Sequence, residues 1–204
     1  MAKIHTVIFD LGGVLIDWNP KYLYSKVFSD EKEIDFFLKE ICHSEWNRAQ
    51  DGGRSFADAS HERITAYPKY EQAIRCYFDR WEEMLGGAIE ENVEILCQLH
   101  QQKNVDLYAI TNWSHETFPI ALNKYDFLHY FKDIVVSGTE KLLKPEEAIY
   151  RLLLKRNSLT PEHCVFIDDV LENVEGAQNM GMSGIHLSAE TDLAAELKKL
   201  GIAV

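Results

Sequence analysis

Four short segments of the chain carry side chains that could act on a phosphate group or bind a metal ion. In the first, an apolar run leads into Asp10, and Leu11, Gly12 and Gly13 follow. Glycines allow a ligand to approach the backbone closely and expose N–H groups to an anion. Asp10 is therefore a candidate reactive carboxylate, although the same residues would also suit an ordinary turn.

The second and third segments supply a hydroxyl group, an amide and an ammonium group. Thr111 and Asn112 follow an apolar run and could hydrogen-bond to phosphate oxygens. Lys144 stands at the predicted start of a helix, where a cation opposes the helix dipole. Neutralising a phosphate or a carboxylate would explain a lysine there. A strand-ending turn and a solvated surface lysine are the alternatives.

The fourth segment is a pair of adjacent carboxylates, Asp168 and Asp169, that follows another apolar run. Like charges repel each other, so the pair favours a bound cation, and carboxylate oxygens suit Mg²⁺. A turn with a helix-capping aspartate is the alternative.

The elements that would position these segments alternate along the chain. Apolar runs at 6–9, 107–110, 134–136, 165–167 and 185–187 predict strands buried on both faces, which is typical of a parallel sheet. Helical patterns at 90–101, 145–155 and from 171 to a terminal Gly181 lie between them. The alternation predicts an α/β fold with a doubly wound, Rossmann-like parallel sheet, whose strand ends form one ligand crevice.

One region interrupts the alternation. Between Asp17 and about Leu85 no buried strand is evident, and helical patterns cover 22–28, 32–42, 56–66 and 70–84. We therefore predict a helical cap at 17–85, inserted into a core of 1–16 and 86–204. Candidates for substrate contacts near the junction are Asp17, Trp18, Trp46, Asn47 and Arg48, with His43 and Glu45 nearby. Aromatic rings and an arginine could stack on a sugar and bind a polar group, whereas Trp46 could equally be cap core and Arg48 a surface charge.

Composition excludes several classes of partner. The 204 residues carry a formal net charge of -12, which disfavours nucleic acid and anionic membranes as partners. No apolar run approaches the roughly 20 residues of a membrane helix, and the first residues lead directly into a strand without a signal peptide. The four cysteines have no metal-binding spacing and predict buried, reduced thiols. We expect a cytoplasmic protein; the oligomeric state is left open.

The order and context of Asp10, Thr111, Lys144 and the Asp168–Asp169 pair resemble the four signature motifs of the haloacid dehalogenase superfamily. The resemblance extends from Ile4 to about Leu187, and the helical insertion is similar to the family's cap. The opening Asp10-Leu11-Gly12 is most similar to the branch that includes α-glucose-1-phosphate phosphatase and the N-terminal phosphatase domains of epoxide hydrolases.

This resemblance implies a Mg²⁺-dependent phosphomonoesterase for a small phosphorylated metabolite, with a sugar phosphate as one candidate. Asp10 would form an aspartyl-phosphate, which water then hydrolyses. It also implies phosphate binding by Thr111 and Lys144. Further substrate contacts would come from Leu11, Gly12 and Asn112. The resemblance assigns Mg²⁺ to Asp10, the Gly12 carbonyl and Asp169, with Asp168 as a further or indirect ligand.

One departure from the family pattern concerns Gly12. Phosphatases of this family usually carry a second aspartate there, which protonates the leaving oxygen. Without it, either the leaving group is intrinsically good, or a cap residue or Asp17 supplies the proton.

Two other classes of function stay open at this point. A 2-haloacid dehalogenase also lacks the second aspartate, but it needs no metal, and the intact Asp168–Asp169 pair argues against it. A binding or regulatory protein that has lost its acid is the other alternative. Mg²⁺-dependent phosphate release would separate both from a phosphatase.

Overall fold

The fold is known from a computed structural model that describes residues 3–102 and 104–204. The strands are β1 (Thr6–Phe9), β2 (Ile16–Trp18), β3 (Leu85–Ala88), β4 (Asp106–Thr111), β5 (Asp133–Val136), β6 (Cys164–Asp168) and β7 (Ser183–His186). The helices are α1 (Lys21–Val27), α2 (Glu31–Phe36), α3 (Ser44–Asp51), α4 (Phe56–Ala66), α5 (Glu71–Asp79), α6 (Glu90–Gln101), α7 (Phe118–Lys124), α8 (Ser137–Glu140), α9 (Glu147–Arg156), α10 (Leu171–Asn179) and α11 (Leu193–Lys199).

The central sheet of the described residues is parallel and has the strand order β5-β4-β1-β6-β7. All four residues of β1 are buried. Val7 and Phe9 face one apolar cluster, whereas Ile8 faces a second cluster with Ile110 and Phe166. Because apolar clusters cover both faces of the sheet, the strands consist of continuous runs of apolar residues. The predicted α/β fold with helices around a parallel sheet is confirmed.

A short antiparallel pair, β2 and β3, carries the chain into and out of the helical insertion, with Ile16 opposite Ala88 and Asp17 opposite Gly87. The structure agrees with the prediction of no buried strand between Asp17 and about Leu85 among the described residues, since the buried Ile16 precedes that range and the other residues of β2 and β3 are partly or fully exposed. The pair escaped detection because β2 is only three residues long and β3 contains two glycines. The division into a core of 1–16 and 86–204 and a cap of 17–85 stays a prediction.

Helices fill the insertion, but two predicted helices differ from the observed ones. The helix expected at 32–42 ends at Phe36 and continues as a wider π-helical turn, Phe37–Ile41. The helix expected at 70–84 begins at Glu71, ends at Asp79 and is followed by the 3₁₀ turn Trp81–Met84. The helix at 56–66 lies where it was predicted, and α3 was not predicted. Aromatic packing fixes the insertion, with the Trp46 and Tyr77 ring centroids 4.8 Å apart.

Helix ends follow their local chemistry. Gly181 lies at φ +90° after α10, where its N–H donates to the Gln178 carbonyl and the Met182 N–H donates to the Ala177 carbonyl. This confirms the predicted C′ glycine. In α6, the buried residues are Val93, Leu96 and Leu99, and the exposed His100 stacks on Tyr130.

The cysteines and the apolar content of the helices bear on two expectations from composition. The four cysteines are free, with Cys42 and Cys164 buried and Cys76 and Cys97 partly exposed. Across the described residues, none of the helices has the length and apolar character needed to cross a bilayer.

Candidate active site

The polar segments singled out in the sequence meet at one edge of the sheet. Asp10 directly follows β1, Thr111 ends β4 and Asp168 ends β6. Because these neighbouring strands are parallel, their carboxyl ends lie side by side. Asp10, Thr111 and Asp169 line a cavity of about 300 Å³, and Lys144 lines it too.

Lys144 forms the charged centre of the site and is not a surface lysine. Its side chain has 0% exposure, and its Nζ lies 2.9 Å from Asp10 Oδ1 and 2.6 Å from Asp168 Oδ2. Two carboxylates more than offset the cost of burying the ammonium group, so the pKa of Lys144 is raised. Lys144 lies three residues before α9, which begins at Glu147 and not at the predicted Pro145.

The backbone of Lys144 is held from two sides. Its N–H donates to Asn112 Oδ1 (2.9 Å), and its carbonyl accepts from Asn112 Nδ2 (3.2 Å). Arg48 of α3 donates to the same carbonyl at 3.1 Å. The amide of Asn112 is thus engaged by the Lys144 main chain, and its contact with substrate stays a prediction. Asn112 therefore positions the lysine, and Arg48 does so from the cap side.

Asp10 is buried beside this lysine. Its Oδ1 accepts from the Leu11 N–H at 2.7 Å, in addition to the contact with Lys144. Burial raises the pKa of Asp10 by more than Lys144 lowers it, and the charge of Asp168 raises it further. A cation at this point would favour the ionised form that a nucleophile requires.

Three carboxylates, those of Asp10, Asp168 and Asp169, have oxygens within 4.8 Å of one another. Against the single ammonium of Lys144 they leave two negative charges unbalanced, which suits a divalent cation. Oxygen-only ligands of this kind fit Mg²⁺. The residues at the site therefore fit the metal that the sequence predicted.

The members of this acidic cluster are not equivalent. Asp168 is fully buried and accepts hydrogen bonds from the Val170 N–H, the Asn173 amide and Lys144. With its oxygens engaged, Asp168 orients the lysine. Asp169 is more exposed, and burial together with the charge of Asp168 raises the pKa of its carboxyl. Asp169 is the carboxylate with more freedom to bind a cation.

The two glycines after Asp10 differ in what surrounds them. Gly13 has φ +75°, and a Cβ there would clash with the Asp169 carboxylate. Only glycine lets the acidic cluster close against this turn. At Gly12, which also lines the cavity, a Cβ would meet no described atom within 4 Å. The position of the family's usual acid is therefore open space.

The substrate-contact residues predicted from the sequence separate into two groups. Trp18 and Asn47 line the cavity together with Gly12 and Asn112. Four others lie outside the cavity lining, and each has a different surrounding. Trp46 is 2% exposed and packs on Tyr77. Leu11 is buried in the core, Arg48 contacts the Lys144 carbonyl, and Asp17 accepts from the Tyr22 hydroxyl at 2.6 Å.

Sequence reasoning missed several residues of the cavity wall, most of them aromatic or polar. They are Asp51, Phe56, Trp81, Trp113, Ser114, Thr117, Val170 and Asn173. A signal was present for some of them. Trp113 and Ser114 extend the strand-end segment beyond Asn112, and Asp51 stands one helical turn after Asn47. Because α3 was not predicted, the sequence did not show that Asn47 and Asp51 share a helix face.

Comparison with known proteins agrees with this geometry. The family model of haloacid dehalogenase-like hydrolases matches residues 4–181. The chain therefore belongs to that family and is a hydrolase. The chain is 28% identical over 200 residues to the sesquiterpene phosphatase astK of Aspergillus oryzae, covering 95% of this chain and 94% of that protein. It is 27% identical to the N-acylneuraminate-9-phosphatase of Rattus norvegicus, covering 89% and 81% of the two chains.

A solved structure supports the fold. The magnesium complex of a haloacid dehalogenase family enzyme from Bacteroides thetaiotaomicron aligns with a TM-score of 0.75 at 21% identity. The alignment covers 97% of this chain and 100% of that one.

Proposed function

We propose that this protein is a Mg²⁺-dependent phosphomonoesterase that acts on a small phosphorylated metabolite through an aspartyl-phosphate on Asp10. The observation that supports this most directly is the contact of Asp10 with the buried Lys144, beside an acidic cluster that fits a divalent cation. The phosphatase relatives support the same class of reaction. Cytoplasmic location stays a prediction.

The two oxygens of Asp10 have different roles in this proposal. Oδ1 is held by the Leu11 N–H and Lys144, whereas no described residue donates a hydrogen bond to Oδ2. Oδ2 is therefore the atom that attacks phosphorus. Lys144 and the hydroxyl of Thr111 would stabilise charge on the transferring oxygens, and water would then release phosphate from Asp10.

The metal would be held by Asp10, Asp169 and the Gly12 carbonyl, with Asp168 acting through Lys144. When bound, Mg²⁺ supplies positive charge that neutralises the phosphate and favours an ionised Asp10.

The cavity wall bears on the substrate. The aromatic part of the lining consists of Trp18, Phe56, Trp81 and Trp113. The ring centroids of Trp81 and Trp113 lie 5.5 Å apart. The indole N–H groups of Trp18 and Trp113 have no acceptor among the described residues. Because these N–H groups are buried, the cavity offers a substrate the aromatic faces and not the indole donors. Such faces suit an alcohol with an apolar face, as a sugar ring or an isoprenoid chain has.

A phosphate-release screen tests this proposal. Purified protein would be assayed with Mg²⁺ on an aryl phosphate, hexose phosphates and isoprenoid monophosphates, and again in EDTA. We expect release that EDTA abolishes and added Mg²⁺ restores. Full activity in metal-free protein would contradict the metal dependence, and no release from any substrate would contradict the phosphatase.

A further inference from the structure

A carboxyl group of helix α3 lines the same cavity as the open space at Gly12. Asp51, the last residue of α3, lines the same cavity as Asp10 and Gly12. We propose that Asp51 is the general acid that protonates the leaving oxygen, in place of the side chain that Gly12 lacks. This inference rests on the proposed phosphatase function and adds a proton donor to it.

The Asp51 side chain is held in a defined position. Its Oδ2 accepts from Asn47 Nδ2 at 3.0 Å, and the Asn47 Oδ1 accepts from the buried Tyr77 hydroxyl at 3.0 Å. Because Tyr77 fixes the orientation of the Asn47 amide, the amide presents its N–H to Asp51. A general acid needs such fixed geometry, since proton transfer depends on hydrogen-bond reach.

The backbone of Asp51 is tied to the core domain. Its carbonyl accepts from Ser137 Oγ at 2.6 Å, and that hydroxyl oxygen also accepts from the Trp113 N–H at 2.9 Å. This links the end of α3 to Trp113, in the loop that follows Thr111 at the end of β4. The same contact that docks the cap on the core therefore sets the distance of Asp51 from the reaction centre.

The surroundings of Asp51 favour a proton at neutral pH. Burial raises the pKa of its carboxyl to about 7, and the negative charge of Asp10 contributes in the same direction. The charge of Arg48 and the N–H of Ser114 act in the opposite sense. A group that is half protonated near neutral pH can both donate a proton and take one back.

The other candidates for the acid are placed elsewhere. Asp17 is engaged by Tyr22, and His43 accepts from the Trp46 N–H at the start of α3 and contacts Arg63. Glu45 is exposed in the first turn of the same helix. Among the described residues that line the cavity, Asp51 is the one carboxyl outside the acidic cluster.

The proposed steps balance. In the first, the Asp10 carboxylate bonds to phosphorus, the bond from phosphorus to the leaving oxygen breaks, and the Asp51 proton moves to that oxygen. The products are the alcohol, the aspartyl-phosphate and an Asp51 carboxylate. In the second, water attacks phosphorus, its proton moves to Asp51, and hydrogen phosphate leaves as the Asp10 carboxylate re-forms.

The test is a leaving-group series on Asp51→Asn, which keeps the side-chain shape and an acceptor oxygen for Asn47. An alkyl phosphate needs protonation of its leaving oxygen, whereas the aryloxide of an aryl phosphate leaves as a stable anion. We expect kcat/KM to fall by about 10²-fold or more for the alkyl phosphate and by less than about 5-fold for the aryl phosphate. Asp51→Ala is the second variant and should show the same selectivity.

Asp79→Asn is the matched control, because Asp79 is an exposed cap carboxylate on α5 outside the cavity lining. It should keep parental rates on both substrates. Equal losses on both substrates in the Asp51 variants, or no loss on the alkyl phosphate, would overturn the inference. A parental protein without Mg²⁺-dependent activity on the aryl phosphate would instead overturn the proposed function, so the two failures are distinguishable.

Discussion

The carboxyl ends of the central strands and helix α3 both bring polar side chains to the cavity, but they do so by different rules. In the core, residues adjacent in sequence to a strand end lie in the site, as Asp10 and Thr111 do. In α3, adjacent residues point in different directions. Trp46 packs inside the cap, Asn47 lines the cavity, and Arg48 contacts the Lys144 carbonyl.

The difference follows from backbone geometry. A strand end brings the residues around it to one edge of the sheet, so a contiguous motif locates this part of the site, although Leu11 within it is buried in the core. A helix turns by about 100° per residue, so partners on one face are separated by three or four positions. Asn47 and Asp51 share the cavity face of α3, and Trp46 and Gln50 share the buried face. A contiguous cluster within a helix is therefore a poor predictor of a binding surface.

The largest expected effect on activity is at Asp10, which follows a strand of the core. Asp10→Asn should lower kcat by more than about 10³-fold, because an amide oxygen is too weak a nucleophile to form the aspartyl-phosphate. Phosphate release from an aryl phosphate in Mg²⁺ measures it, with circular dichroism as the check on folding. Turnover near the parental rate in a folded variant would rule out Asp10 as the nucleophile.

The sequence predicts the strand-end part of the site better than the part that α3 contributes. The parallel sheet and the positions of Asp10, Thr111 and the Asp168–Asp169 pair followed from apolar runs and what comes directly after them. The burial of Lys144 did not, because its surroundings come from three separate strand ends and loops. Which residues of α3 line the cavity depends on where the helix begins and which way each of its faces points. The mixed polar and apolar composition of α3 predicts neither.

A smaller effect is expected at the glycine turn, where two adjacent core positions should respond differently. Gly13→Ala places a Cβ at positive φ and against the Asp169 carboxylate. We expect a 10- to 100-fold weaker apparent Mg²⁺ affinity, on the order of the effects of disturbing groups around a metal, and a loss of about 1–3 kcal/mol in the free energy of unfolding. Mg²⁺ titration of activity and urea denaturation measure the two quantities.

Gly12→Ala is the matched variant for this comparison. A Cβ at Gly12 meets no described atom within 4 Å, so its free energy of unfolding should stay within about 0.5 kcal/mol of the parental value. Equal destabilisation of both variants would mean that the turn tolerates no side chain at either position, and that the contact of Gly13 with Asp169 has no special importance.

The smallest expected effect concerns Asp51 of α3 and the way the free energy of unfolding depends on pH. The pKa of Asp51 is about 7 in the folded protein, against an ordinary value of 3.8. The folded state therefore holds this proton more tightly than the unfolded state, and ionisation of Asp51 destabilises the fold as the pH rises from about 4 to above about 7. Asparagine does not ionise, so Asp51→Asn should escape this loss.

We expect Asp51→Asn in EDTA to gain about 1–2 kcal/mol over the parental protein at about pH 8.5, relative to their difference at about pH 4.5. The gain is smaller than the full pKa shift would give, because Asp51 is partly exposed and the loss of its charge leaves Arg48 with less compensation. Urea denaturation at the two pH values measures it, with Asp79→Asn as the exposed control. A variant that differs from the parental protein by the same amount at both pH values would show that Asp51 ionises normally, and its proton would then be largely absent at neutral pH.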